Sequence, residues 1–344
     1  MEKPGMNRRQ FVGATLAATA GALSPAVFGT PAARAQGKSP GIKVGLYSIT
    51  FLGVWYRGAA LTHEELIQRA KKYGYDGIEI DGKRPHGNPL DMPTSRCKEI
   101  RSRADGEGIE IFGVAANNDF SSPITEHREC QLLYVRELIR VASDLRAKVV
   151  RVFLGWPGVT QHPQLASYDT ARTLWRTAHR GVPPERTWAW CREALIECAH
   201  HAGDAGVTLA LQNHKPIIEK YTDMLRMVKE VDSPHLNVSL DAPLLTVKTP
   251  EYIRKAALDA GSVQVLSHFG GEYKRGPDGK VYGESFYAPF ISAMKEIGYE
   301  GYMSYELCHP LPKVNGQTVG IEYADQCAEL AQEFMRGLIQ SVPA

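Results

Sequence analysis

Eight short runs rich in apolar and β-branched residues alternate with longer amphipathic stretches, and this alternation most constrains the fold of the chain. The predicted strands span residues 42–48, 77–81, 109–115, 148–154, 207–212, 236–241, 263–268 and 301–306. Helical periodicity follows each strand, most clearly in residues 62–73, 125–146, 187–204 and 321–339. Eight β-α units in about 300 residues predict a single-domain α/β protein, a (β/α)8 TIM barrel.

The first 35 residues have the features of an export signal and are excluded from the predicted barrel. The twin-arginine sequence NRRQF at 7–11 precedes a mildly apolar run at 12–28 and a small-x-small sequence, ARA, at 33–35. We therefore expect a Tat-type signal peptide over 1–35, export by the Tat machinery to the periplasm or beyond, and a barrel over 36–344. No later stretch resembles a membrane-spanning helix.

Net charge and cysteine spacing exclude several classes of protein. The 344-residue chain has a formal charge of +2, of which the predicted signal carries +3, so the mature charge is about −1. This charge gives no electrostatic basis for binding nucleic acid or an anionic membrane surface. The six cysteines form no CxxC pair and no zinc-binding spacing with histidine, and we expect free thiols, mostly buried. The sequence leaves the oligomeric state open.

Polar residues stand at the ends of four consecutive predicted strands. Strands five to eight end in Gln212, Asp241, His268 and Glu306. The carboxyl ends of barrel strands converge at one mouth, where α/β barrels place their chemistry. One imidazole, two carboxylates and an amide oxygen suit a divalent cation, so these four residues are predicted metal ligands.

This pattern resembles the xylose isomerase-like TIM barrels, the sugar phosphate isomerase/epimerase superfamily, from residue 42 to about residue 338. The resemblance implies Mn²⁺ at the four strand ends, with Mg²⁺, Co²⁺ or Zn²⁺ also compatible, and a small carbohydrate as substrate. It further implies that Glu79 on strand two and Arg151 on strand four contact that substrate. The sequence departs from the family at strand five, where Gln212 replaces a glutamate, and at Leu244, where family epimerases often carry histidine.

The glutamine narrows the predicted mechanism. In the family's epimerases two metal-binding glutamates exchange protons with opposite faces of the substrate carbon, and an amide has no accessible pKa for that task. Glu306 then remains as one catalytic group. His214 lies two residues after Gln212, on the same side of an extended strand, and is the predicted replacement base.

These residues predict a metal-dependent isomerase or epimerase that removes a proton next to a sugar carbonyl. Two alternatives stay open: a lyase or hydrolase that cleaves a 3-keto-glycoside by β-elimination, and an exported sugar-binding protein without catalysis. Endonuclease IV, a multi-zinc enzyme on the same fold, needs more ligands and a basic face.

Two long connections are predicted to overhang the active face, from Gly155 to about Arg186 and from Phe269 to about Glu284. The first carries Trp156, whose indole could stack on a sugar ring. The second carries Glu272, which could bind sugar hydroxyls. Both residues are predicted to contact the substrate.

Overall fold

Eight parallel strands close into a barrel in which each strand pairs with its neighbours in sequence and the first pairs with the last. The computed structural model describes residues 41–162 and 165–343, with side chains described outside 160–166. The predicted signal at 1–35 lies outside the described residues. The TIM barrel prediction is confirmed. The strands are β1 (Lys43–Tyr47), β2 (Gly77–Asp81), β3 (Glu110–Ala115), β4 (Val149–Val152), β5 (Thr208–Gln212), β6 (Leu236–Ser239), β7 (Gln264–Gly270) and β8 (Tyr302–Glu306).

Helices surround the barrel and are set by local sequence signals. Thr62 starts α1 with a reciprocal capping box to Glu65, and Gly74 ends it in the left-handed conformation at φ 80°. The helices are α1 (His63–Tyr73), α2 (Thr94–Glu107), α3 (Thr125–Leu145), α4 (Tyr168–Ala178), α5 (Pro184–Asp204), α6 (Tyr221–Val231), α7 (Pro250–Ala260), α8 (Tyr287–Glu296) and α9 (Ile321–Ser341). None of the helices in the described part of the chain is long and apolar enough to cross a membrane.

The barrel interior has an apolar floor at its amino-terminal end. The rings of Phe112 and Tyr302 stack there with centroids 3.8 Å apart. Gly45 on β1 leaves room for them, since a Cβ at this position would lie 2.4 Å from the Phe112 ring. The side chains of Ala210 and Leu266 complete this layer. The predicted site residues lie at the other end of the barrel, where the strands terminate.

The two long connections have structure of their own. The one after β4 contains a ribbon, Thr160–His162 paired with Leu165–Ser167, and the whole of α4. The one after β7 contains a ribbon that pairs Lys274–Arg275 with Val281–Tyr282. All six cysteines are free thiols, four of them buried.

Candidate active site

The predicted site residues lie at the carboxyl-terminal end of the barrel, but the strand limits differ slightly from those predicted. Gln212 and Glu306 are the last residues of β5 and β8. Asp241 lies two residues beyond β6, whereas His268 lies within β7, which continues to Gly270. Parallel pairing of neighbouring strands brings these positions to one end of the barrel.

Glu79 is the centre of a buried ion network. It has no exposed surface and accepts hydrogen bonds from Arg151 Nε at 3.1 Å, His268 Nε2 at 2.7 Å and Ser304 Oγ at 3.0 Å. Burial alone would raise the pKa of Glu79, but His268 and Arg151 lower it to about 2. The sugar contact predicted for Glu79 stays a prediction. The observed role of this carboxylate is to hold an arginine and a histidine.

His268 is held between two carboxylates. Its Nε2 faces Glu79, and its Nδ1 lies 3.2 Å from Asp241 Oδ2. Its backbone N–H also donates to Asp241 Oδ1 at 2.7 Å. Burial would lower the pKa of His268, but Glu79 and Asp241 raise it to about 10. Both ring nitrogens therefore carry protons at neutral pH, and the ring is a cation.

Arg151 fixes the orientation of the Gln212 amide. Arg151 Nη1 donates to Gln212 Oε1 at 2.8 Å, and Gln212 Nε2 donates to Asp241 Oδ2. Turning the amide over would set nitrogen against the guanidinium and oxygen against the carboxylate. Gln212 thus joins a cation to an anion, which glutamate could not do because it has no hydrogen to donate to Asp241. We call Glu79, Arg151, Gln212, Asp241 and His268 the buried ion network.

Asn213 ties the ends of β5 and β6 together. The Asp241 backbone N–H donates to Asn213 Oδ1 at 2.8 Å, and Asn213 Nδ2 donates to the Asp241 backbone oxygen at 3.2 Å. Both bonds join the Asn213 side-chain amide to the backbone of Asp241. These two bonds therefore help to fix the distance between Gln212 and Asp241 at a point where both strands have ended.

Glu306 stands apart from the buried ion network, half-buried in the wall of a cavity of about 460 Å³ at the barrel mouth. Burial raises the pKa of Glu306, and His268 and Arg151 offset only part of this effect. This inner cavity, as we call it, is within the size range of small-molecule sites. Arg151 and Gln212 also reach its wall.

His214 lies in the wall of the same inner cavity, on the side predicted from its spacing to Gln212. Its Nδ1 lies 2.5 Å from the Lys215 carbonyl oxygen, so Nδ1 carries the proton and Nε2 has a free lone pair. Burial lowers the pKa of His214 to about 4, although the bond to Lys215 opposes the shift. The ring is neutral at pH 7 and is a weak base.

Aromatic side chains close the inner cavity. Trp156 packs edge-on against His214 with ring centroids 4.8 Å apart and lines the cavity, and its contact with a substrate stays a prediction. Tyr168, the first residue of α4, lies 5.0 Å from the Trp55 ring and donates its hydroxyl to the Cys308 carbonyl at 2.5 Å. The connection after β4 is therefore joined to the end of β8 across the cavity.

A family model described as xylose isomerase-like TIM barrel matches residues 67–337 of the chain. The protein belongs to the xylose isomerase-like TIM barrel family. Fructoselysine 3-epimerase of Escherichia coli O157:H7 is 26% identical over 263 residues, covering 71% of this chain and 85% of that protein.

Solved structures with the same fold include two sugar epimerases. D-psicose 3-epimerase of Clostridium cellulolyticum H10, solved with D-tagatose, matches with a TM-score of 0.64 at 21% identity, over 87% of this chain and 99% of that one. The apo form of 3-keto-D-glucoside 4-epimerase from E. coli matches with a TM-score of 0.60 at 17% identity, over 84% and 99% of the two chains. At these identities the structures show a shared fold.

In the positions that the structure gives them, the four predicted metal ligands do not form a metal-binding group. Both nitrogens of His268 face carboxylates, and the amide oxygen of Gln212 faces Arg151. Among the described residues, three His, Cys, Asp or Glu ligand atoms come within 4.8 Å of one another only at His200, His201 and Asp204, on α5. In this arrangement Gln212, Asp241 and His268 bond to one another or to other side chains of the buried ion network. Their amide, carboxylate and imidazole groups are of the types that bind divalent cations, and the cation site at the strand ends stays a prediction. Positive charge is supplied there by Arg151 and His268.

Glu272 lies on the other side of Glu306 from the inner cavity. It pairs with His309 Nε2 at 3.2 Å and accepts a hydrogen bond from the Tyr323 hydroxyl. It lines a broader cavity of about 840 Å³ that shares Glu306 and Cys308 with the inner one. The structure thus does not place the predicted substrate contact of Glu272 in the inner cavity.

A second polar cluster, which the sequence analysis missed, lies on the first half of the barrel. Asp81, the last residue of β2, is fully buried and accepts hydrogen bonds from the Tyr47 hydroxyl, Lys83 Nζ at 3.2 Å and Asn117 Nδ2 at 3.3 Å. Burial would raise the pKa of Asp81, but Lys83 and Tyr47 lower it. Tyr47, Lys83 and Asn117 all line the inner cavity. The search for polar residues at strand ends, which was applied to strands five to eight, would have identified this cluster if it had been applied to strands one to three.

Proposed function

We propose that this family member is an enzyme that removes a proton from the carbon next to a sugar carbonyl, with isomerase or epimerase-like chemistry. The observation that carries the proposal is Glu306, a half-buried carboxylate with a raised pKa in the same cavity wall as the Arg151 guanidinium. A base and a fixed cation in one cavity suit the formation of an enediolate. The sugar epimerases with which the chain shares sequence or fold support a sugar as the substrate.

In this mechanism Glu306 takes the proton and Arg151 stabilises the oxygen that becomes negative. Arg151 uses Nε for Glu79 and Nη1 for Gln212, and among the described residues its Nη2 has no hydrogen-bond acceptor. Nη2 is therefore available to a carbonyl oxygen in the inner cavity. Return of the proton from Glu306 to the former carbonyl carbon, with transfer of the hydroxyl proton from the neighbouring oxygen to the former carbonyl oxygen, completes an isomerisation.

His214 and Trp156 position the sugar in this proposal. The free lone pair of His214 Nε2 accepts a hydrogen bond from a sugar hydroxyl, and its lowered pKa makes it a poor proton carrier. The Trp156 ring provides an apolar surface for a sugar ring. His214 is therefore proposed as a binding residue, which differs from the base predicted from the sequence.

A second reaction, β-elimination from a 3-keto-glycoside, is favoured by the asymmetry of the site. The β5 end supplies an amide and the β8 end a carboxylate, so one group exchanges protons where two-sided epimerisation needs two. Glu306 would remove the proton next to the ketone, the C–H electrons would form the double bond, and the aglycone oxygen would leave with its bonding electrons and take up a proton. We also propose that residues 1–35 direct export, which suits work on glycosides outside the cytoplasm.

The test is product analysis by NMR in deuterated water with a panel of free ketoses, aldoses and 3-keto-glycosides. Deuterium at the carbon next to the carbonyl is expected with the wild-type protein and not with Glu306→Gln. A sugar-binding protein without catalysis would incorporate none with either. Each reaction is run with EDTA-treated protein and again after Mn²⁺ is added. Turnover only after the addition of Mn²⁺ would show that the enzyme requires a metal.

A further inference from the structure

A second cavity of about 430 Å³ adjoins the inner cavity. The two share Trp156, Tyr168, Arg172 and His214 in their walls, so only these side chains lie between them. We call the second space the outer cavity. A ligand seated at Glu306 has room for a substituent that extends along α4.

The outer cavity has more cationic than anionic side chains in its wall, counted over the described residues. Arg172, Arg176 and Lys215 line it, against one carboxylate, Glu219. The ion pair of Arg172 is with Asp169, at 3.8 Å on the same helix, and Arg176 donates instead to the Thr173 hydroxyl at 3.3 Å. Two guanidinium groups one helical turn apart can bind a single anion between them.

The outer cavity also has an aromatic wall with an unused donor. The Trp175 indole N–H donates to Ser121 Oγ at 3.0 Å, which fixes that ring. The Trp156 indole N–H is buried and has no hydrogen-bond partner among the described residues. A buried donor without a partner is costly, and a small shift of the ring toward a bound acceptor would remove that cost.

From these features we infer the substrate class: a sugar whose reacting ring lies in the inner cavity and whose aromatic or apolar substituent, bearing an anionic group, lies in the outer cavity. The inference rests on the proposed function for the position of the reacting ring. Arg172 and Arg176 bind the anion, which can be a carboxylate or a phosphoryl group. Trp156 separates the two halves of the ligand and contacts both.

The test compares three 3-keto-glucosides that differ at one position of a phenyl aglycone: 4-carboxyphenyl, 4-phosphonophenyl and the neutral 4-carbamoylphenyl compound. With the wild-type protein we expect KM to be about fivefold lower for at least one anionic compound than for the carbamoyl compound, the size of one partly exposed charge-assisted contact. The anion with the lower KM identifies its chemistry. In Arg176→Gln and in the double variant Arg172→Gln/Arg176→Gln this preference should fall to within about twofold.

Arg180→Gln is the matched control, because Arg180 is exposed and does not line either cavity. It should keep the full preference. Equal KM values for all three compounds in the wild type, or a preference that survives in the double variant, would overturn the inference. Calorimetric binding of the corresponding unoxidised glucosides gives the same contrast without turnover. An anion preference in binding with no reaction would leave the inference standing and count against the proposed function.

Discussion

The buried ion network and the wall of the inner cavity lie at the same end of the barrel but use polar groups in opposite ways. In the network every charge has a partner, as when Glu79 accepts bonds from Arg151 and His268. In the cavity wall, among the described residues, the Glu306 carboxylate forms no ion pair and the indole N–H of Trp156 has no hydrogen-bond partner. Paired buried charges fix geometry, and unpaired groups remain available to a substrate. The comparison predicts that changes in the wall affect turnover and changes in the network affect stability.

Replacing Glu306 with glutamine should have the largest effect on turnover. The amide keeps the shape of the side chain but cannot take a proton, so kcat should fall by about 10³-fold. The melting temperature should stay the same or rise slightly, because a buried charge is removed. Steady-state kinetics and thermal unfolding measure the two effects. Glu300→Gln, at an exposed position before β8, is the control, and equal losses in both variants would contradict the assignment.

Replacing Arg151 with methionine should have the largest effect on stability. The change leaves Glu79 buried without one partner, which typically costs about 3–5 kcal/mol in the free energy of unfolding. The double variant Glu79→Gln/Arg151→Met should recover part of the loss, since no uncompensated carboxylate remains. Urea denaturation of the single and double variants gives the coupling energy. Additive losses would show that the ion pair does not stabilise the barrel.

Replacing Gln212 with glutamate tests the role of the amide. A carboxylate beside Asp241 loses the hydrogen bond and adds repulsion, so the free energy of unfolding should fall by about 2 kcal/mol in EDTA. Added Mn²⁺ should raise the melting temperature of this variant more than that of the wild type, because a third carboxylate creates a better cation site. A larger Mn²⁺ effect on the wild type would contradict the arrangement described for Gln212.

Replacing His214 with asparagine should reduce kcat/KM by about tenfold, much less than the change at Glu306. The expected loss is that of one hydrogen bond to the sugar, about 1.4 kcal/mol, because the neutral ring is not the proton carrier. Most of the loss should appear in KM. A collapse of kcat equal to that of Glu306→Gln would restore His214 as the base.

A pH dependence of stability is also predicted. The pKa of His268 is raised to about 10, so its stabilising contribution is complete below its unfolded-state value, about 6.5, and is lost as pH rises through about 10. Stability should fall between pH 7 and pH 10, by at most about 1.4 kcal/mol per pH unit. His268→Asn should lack this component. Parallel slopes in urea titrations at several pH values would show that the ring is neutral in the folded protein.

The sequence predicted the barrel and the four strand ends because both depend on local periodicity. Alternation of apolar runs located all eight strands, and the last polar residue of each run pointed to Gln212 and Asp241. The same rule, applied to the first half of the barrel, would have pointed to Asp81. Local pattern therefore tells which residues reach the active end of a barrel.

Pairing among those residues could not be predicted from the sequence. Glu79 and Arg151 lie 72 positions apart, and their contact depends on the curvature of the closed sheet. The contacts of His268 with Glu79 and Asp241 likewise join residues that lie far apart in the sequence. The predicted connection after β4 contains α4, whose amphipathic face was not recognised as part of the cavity wall.

The Asn213 side chain has a mechanical consequence. Its amide bonds both the N–H and the C=O of Asp241 and so holds together the two chain segments that follow β5 and β6. The ends of β5 and β6 should therefore shift as one body when a ligand enters. A substitution at Asn213 would let the two strand ends move independently without removing any side chain from the cavity wall. It would therefore change how accurately the site residues are positioned, and not which residues form the site.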